Sequence, residues 1–166
     1  MKRLLVCLLA AMLLVLCACG TEGSAVDSAQ NGTDDGAAAS AADLSLVYEA
    51  MEATLPEMML MDETSMLNYY GVDAALCNQA VLAICADGLR ADEVWLAEAK
   101  DAAALEELKA MAESRLAAKE EETVSYSPEQ YEVVKEAELY TEGLYLLFLV
   151  SPDVDTLKSA VDEAIS

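Results

Sequence analysis

The sequence predicts an α+β domain: an antiparallel sheet of about four strands, arranged as two hairpins, with helices packed mainly on one face. Three observations predict it. Apolar residues recur at helical spacing in several segments, four short runs read as strands, and Asp87-Gly88 and Glu142-Gly143 supply turn signals between those runs. Hairpins separated by helices imply an antiparallel sheet with helices laid on it.

The elements follow in chain order. Leu44, Val47, Met51 and Leu55 share one helical face, and Pro56 closes that segment. Asp62 is placed to cap a short helix running through Tyr70, with Gly71 just beyond its end. Residues 79–86 and 93–100 read as the first strand pair. Asp101 then caps a long helix that aligns Leu105, Leu108, Ala112 and Leu116. Ser127-Pro128-Glu129-Gln130 reads as a helix start with Ser at N-cap, Pro at N1 and Gln at N3. Residues 137–141 turn strand-like before Glu142-Gly143, and the unbroken apolar run 144–150 reads as a strand buried on both faces. Ser151-Pro152 opens a last helix with Val154, Leu157, Val161 and Ile165 in line.

The N-terminal end has a different character. Lys2-Arg3 precedes the apolar stretch 4–16 and then Leu16-Cys17-Ala18-Cys19, which predicts a signal peptide over residues 1–18. The stretch is too short for a transmembrane helix, which needs about 20 apolar residues. Leu-Cys-Ala-Cys resembles the lipobox of bacterial lipoproteins, so Cys19 is the expected lipidation site, carrying fatty acyl chains such as palmitate. Cys17 fits less well, because bulky Leu16 would sit just before its cut. More than one acyl chain holds a protein stably at a membrane. Residues 19–42 combine the lipidated Cys with a disordered linker of small and polar residues whose only large apolar side chain is Val26. Residues 43–166 suit a single domain with one core. Loss of Lys2 and Arg3 takes the formal charge from −22 to −24. Nucleic acid is thereby disfavoured as a partner, since phosphate contacts need Lys and Arg clusters.

Several stretches carry a family resemblance: Tyr69-Tyr70-Gly71-Val72-Asp73, residues 91–101, Arg115, residues 126–131, and Gly143-Leu144-Tyr145. In order and spacing they resemble an uncharacterised domain-of-unknown-function family of Gram-positive bacterial lipoproteins, over residues 44–164. Trp95 departs from the smaller residue of that pattern. The resemblance implies an envelope location and a small α+β domain. It implies no activity and no site residues.

Catalytic constellations are absent from the sequence. There is no His, which removes Ser-His-Asp and Cys-His catalysis and the commonest zinc ligand. No Ser or Thr of the domain has Lys three positions later, and no Gly-rich phosphate loop occurs. Asp153 and Asp155 begin like a calcium loop, but Leu157 takes the next ligand place. Neither a metal nor a cofactor is expected. Cys77 and Cys85 lie eight apart on the first predicted strand, more than about 20 Å when extended, and are expected to be buried and unpaired.

Trp95, Tyr69 and Tyr70 remain as candidate interaction residues, because aromatics are enriched at binding hot spots. Alternation puts Val94 and Leu96 on one sheet face and Trp95 on the other, beside Glu93 and Ala97. A charge on that side implies nearby water, so Trp95 is expected to be partly accessible. The chain is accordingly expected to be a non-enzymatic binding or accessory module of the cell envelope. It would be lipid-anchored on the extracytoplasmic face of the membrane through Cys19, and its partner would be an envelope protein or ligand. The alternative is a carboxylate-based hydrolase of cell-wall glycan.

Overall fold

The computed structural model describes residues 41–165, which belong to the compact unit Ala39–Ser166. The expected signal peptide, Cys19 and nearly all of the linker lie outside the described residues. Five strands form one sheet: β1 (Met58–Leu60), β2 (Cys77–Cys85), β3 (Glu93–Ala99), β4 (Glu138–Glu142) and β5 (Tyr145–Val150). Their order is β1-β2-β3-β5-β4, and every neighbouring pair is antiparallel. The helices are α1 (Leu44–Met51), α2 (Glu63–Ser65), α3 (Ala102–Tyr126), α4 (Pro128–Lys135) and α5 (Val154–Ile165). α2 runs on as a π-helical segment, Met66–Tyr70, and a short 3₁₀ turn, Ala74–Leu76, leads into β2.

Aspartates set most of the helix starts. Asp43 accepts from the backbone N–H of Ser45, Asp62 from Ser65 and Asp101 from Ala104, each satisfying a donor the first turn leaves open. Gly71 ends the π-helical segment at φ 71°, as a C′ glycine should. Gly143 at φ 56° makes the two-residue β4–β5 hairpin turn, because that loop length requires a left-handed residue. One expected start differs. Ser127 stands at the N-cap of α4, but its hydroxyl makes no capping bond. Gln130 reaches away instead and accepts the backbone N–H of Ala91 at 2.8 Å, tying α4 to the loop before β3.

The α+β class and the antiparallel sheet agree with the sequence; strand count and layering need correction. β1 adds a fifth strand, too short at three residues to show a period. Helices cover both faces of the sheet, not mainly one. On one face α3 and α4 close over Leu82, Trp95, Ala97, Leu146, Phe148 and Val150. On the other, α1 and α5 close over Val81, Ala83, Val94, Leu96, Leu147 and Leu149. Leu44, Val47, Met51 and Leu55 do face the sheet as their spacing predicts, as do Val154, Leu157 and Val161. The thiols of Cys77 and Cys85 are buried and free at opposite ends of β2. Burial pushes the Cys77 thiol up, despite the opposing charge of Lys100.

Trp95 is the main correction. Its side chain does lie on the face opposite Val94 and Leu96, yet it is only 1% exposed. Tyr70 and Phe148 meet its ring edge-to-face at centroid distances of 5.4 and 5.5 Å. Glu93, the charge that implied water on this face, is itself 0% exposed and accepts the indole Nε1–H at 2.8 Å. Trp95→Ala is therefore expected to cost about 3–5 kcal/mol in a denaturant titration, the range for deleting a buried aromatic. Iodide should leave the wild-type indole emission unquenched.

Candidate functional site

The first residue of β3 organises the region where the candidate residues gather. Glu93 projects toward α3, where Arg115 and Lys119, one turn apart, reach down to it. Arg115 donates through Nε to both carboxylate oxygens at 3.1 Å and through Nη2 to Oε2 at 2.8 Å. Lys119 Nζ lies 2.9 Å from Oε2, and the Trp95 indole takes Oε1. Every side of the carboxylate is thus met by a donor, as a fully buried charge requires.

Burial alone would push the Glu93 carboxyl up. The hydrogen bonds from Arg115 and the charges of Lys119 and Arg115 outweigh that and hold it below the usual carboxylate range. For Arg115, burial works to lower the guanidinium, and the hydrogen bond and charge of Glu93 raise it above its ordinary value. The cluster holds two cations around one buried anion. Arg115 Nη1, the nitrogen not used on Glu93, has the exposed Glu122 at 3.9 Å, beyond hydrogen-bonding distance. Arg115 and Lys119 thus meet two carboxylates, the buried Glu93 closely and the exposed Glu122 at longer range.

Three clefts adjoin the cluster. One of about 460 Å³ lies between α3 and the π-helical segment, lined by Tyr69, Tyr70, Met111, Ser114 and Arg115 among others. A second, about 540 Å³, lies on the other side of the tyrosines, with Met59, Leu60, Met61, Ile84 and Arg115. Both are of the size that small ligands occupy, roughly 300–1,000 Å³. The Arg115 guanidinium lies 5.2 Å from the Tyr70 ring centroid, a cation–π contact. Burial, then the nearby Glu93 charge, raises the Tyr70 hydroxyl above its ordinary value, so it remains a neutral donor. Tyr69 is 76% exposed and stands between the two clefts. A third cleft, about 500 Å³, opens at Lys119 and is bordered by Leu89, Glu122, Tyr126, Glu129 and Gln130.

Of the sequence candidates, Tyr69 and Tyr70 therefore come together on Arg115. Trp95 lies beneath them, touching Tyr70 but out of reach of a ligand. Cys19 falls outside the described residues. Sequence reasoning missed the Glu93–Arg115–Lys119 cluster. Its one signal is a carboxylate opening an otherwise apolar strand, with Arg and Lys four apart on the next helix. Among the described residues, no group of three or more Asp, Glu or Cys is placed to hold a metal ion, and no helix is long and apolar enough to cross a membrane.

Residues 51–151 match the family described as Domain of unknown function (DUF4358), and the chain belongs to that family. No catalytic family is identified by the match. No curated protein and no solved structure matches the chain. The stretches on which the sequence resemblance rests converge in space: Tyr70 on Arg115, Arg115 on Glu93, and Gln130 on Ala91.

The depressed Glu93 carboxyl has a pH consequence of definite sign. A carboxylate with a lowered folded-state value stabilises the fold above its unfolded value, about 4.3, and loses that contribution as pH falls through the folded one. Glu93→Gln leaves the buried Lys119 and the partly buried Arg115 without their shared anion, at an expected cost of about 3 kcal/mol near neutrality. In urea titrations, the gap between wild type and variant should narrow steadily below about pH 4. A gap that stays constant to pH 2 would show that Glu93 is not ionised in the fold.

Proposed function

We propose that this chain is a lipid-anchored, extracytoplasmic binding module of the bacterial cell envelope, and that its ligand enters the clefts around Tyr69, Tyr70 and Arg115. One observation carries the binding assignment. Two tyrosines and several methionines surround a guanidinium that is anchored on Glu93 and whose outer nitrogen faces the exposed Glu122 at 3.9 Å, short of a hydrogen bond. Apolar walls with a few placed polar groups, here Arg115 with Glu107, Ser114 and Ser65, are the usual composition of a ligand site. Arg115 is held on two sides, by Glu93 and by the Tyr70 ring, so little side-chain entropy remains to be lost on binding.

The anchor is carried by Leu16-Cys17-Ala18-Cys19 behind its apolar stretch, with residues 20–42 as the tether. Binding is favoured over hydrolysis of wall glycan, because Glu107, Glu122 and Glu129, the carboxylates bordering the three clefts, are all exposed. A general acid of that chemistry needs a carboxyl whose proton is retained by its surroundings.

Two experiments test the parts separately. Cells fed an alkyne-bearing palmitate should label the wild-type chain and not Cys19→Ala, and the variant should leave the membrane fraction or accumulate as precursor. Membrane retention without label would remove the anchor. For the cleft, a fragment library screened by two-dimensional NMR should shift amide resonances of Tyr69, Tyr70, Met111 and Arg115 together. Tyr69→Ala should abolish those shifts while lowering stability by less than about 1 kcal/mol, since the side chain is mostly exposed. Shifts gathered elsewhere, for instance around Leu89 and Tyr126, would relocate the site.

A further inference from the structure

The sheet edge beside the larger cleft narrows the chemistry of the ligand. β1 pairs with β2 alone, and its pairing fixes which backbone groups face outward. Met61 N–H donates to Leu82 O at 2.8 Å, and Ala86 N–H donates to Glu57 O at 2.8 Å. In an antiparallel ladder hydrogen-bonded residues alternate with non-bonded ones. Glu57, Met59 and Met61 therefore turn their backbone groups toward β2, and Met58 and Leu60 turn theirs out to the open edge. The strand carries no charge: Met58-Met59-Leu60 is followed by Met61, with Leu60 61% and Met59 49% exposed. The opposite edge, β4, opens and closes with Glu138 and Glu142, the kind of charge that keeps an edge from pairing. The β1 edge, between the flanking Glu57 and Asp62, carries no charge within its own three residues.

Leu60, with its outward backbone groups, and Arg115, whose Nη1 a ligand carboxylate would approach in competition with the exposed Glu122 at 3.9 Å, line the same cleft. We infer that this cleft takes the C-terminus of an extended apolar peptide. Its main chain adds to β1 through Met58 and Leu60, its last side chain lies among Met59, Met61, Tyr69 and Ile84, and its free carboxylate is received by Arg115 Nη1. Strand addition at an exposed edge and capture of a terminal carboxylate are established modes of peptide recognition. An acyl chain would leave the outward N–H and C=O groups unpaired. A second copy of this chain would set one strongly acidic surface against another. A peptide with a free carboxylate meets the edge, the apolar walls and the cation at once.

This inference rests on the cleft being the binding site, and its test separates the two. The purified full chain, supplied with phosphatidylcholine nanodiscs, is titrated by NMR with three N-acetyl tripeptides ending in Leu, Phe or Met. Each is used as free acid and as C-terminal amide, up to about 1 mM, the weak end of specific recognition. At least one acid should shift Leu60, Tyr69 and Arg115, and its amide should bind at least about tenfold more weakly, the factor expected for losing one charge-assisted hydrogen bond. The acid–amide comparison reads the role of Arg115 without disturbing its buried ion pair. Leu60→Pro removes an outward-facing N–H, which edge strands tolerate, together with a largely exposed Leu side chain. It should keep the melting temperature and weaken the acid at least about tenfold, the effect of a lost main-chain bond together with its neighbour. Equal binding of acid and amide, or full binding by Leu60→Pro, overturns the peptide assignment. Failure of all three peptides while decanoate shifts the same resonances also overturns it and leaves the cleft as the site of another ligand. Silence of the cleft toward peptides, decanoate and fragments alike removes both.

Discussion

A carboxylate with no exposure is the constraint on which one half of this structure depends. Glu93 sits at the start of a central strand, where an unmatched charge would cost several kcal/mol. The fold meets it with three donors, one from the same strand and two from α3. Those contacts fix the rotation and axial position of a 25-residue helix against the sheet. With α3 set, Met111 and Ser114 line a cleft, Arg115 stacks under Tyr70, and Trp95 is enclosed. Apolar packing alone would permit some sliding along the helix. A bidentate guanidinium does not.

The same constraint shapes the clefts. Arg115 is held by Glu93 at Nε and Nη2 and presents Nη1 outward, so the residue that secures α3 also supplies the charged group of the cleft. Lys119 performs the first task without the second: only its aliphatic neighbourhood opens toward the cleft at Tyr126 and Gln130, while its ammonium stays on Glu93. The surrounding acidity favours this economy. Arg90, the other arginine of the domain, is already paired with Asp92 at 2.9 Å. Positive charge is scarce here, and where it is concentrated it has a structural partner.

Much of the fold was legible in the sequence because local chemistry and tertiary packing agree there. Asp62 and Asp101 cap as their positions suggest, Gly71 and Gly143 occupy left-handed turns, and the helix faces of α1, α3 and α5 point where their periods place them. The layering was misjudged although its signal was present. The apolar run 146–150 is continuous and not alternating, which is the mark of a strand covered on both sides. β1 was missed because three residues carry no measurable period. The error over Trp95 has a different origin. A Glu two positions away was taken to mean water, whereas the countercharges that dry it, Arg115 and Lys119, come from 22 and 26 residues further along the chain. Ion pairing at that separation leaves no local pattern. Tyr69 and Tyr70 stand out in the sequence as aromatics beside a helix-ending glycine, but Arg115, which borders the same clefts, is joined to them only in three dimensions.

The two-sided sheet has one more consequence, for how substitutions combine. Leu146, Phe148 and Val150 belong to the layer under α3, and Leu147 and Leu149 to the layer under α1 and α5. Adjacent positions in the chain therefore belong to separate packing problems joined only through backbone, whereas Phe148 and Trp95, 53 positions apart, share one. Paired changes at 147 and 148 should add almost independently, and paired changes at 95 and 148 should couple, because coupling follows contact and not sequence proximity. Each layer is free to drift in side-chain volume while the other holds the sheet in place. The layer containing Glu93 has the less freedom of the two, since every change there must also keep a charge dry.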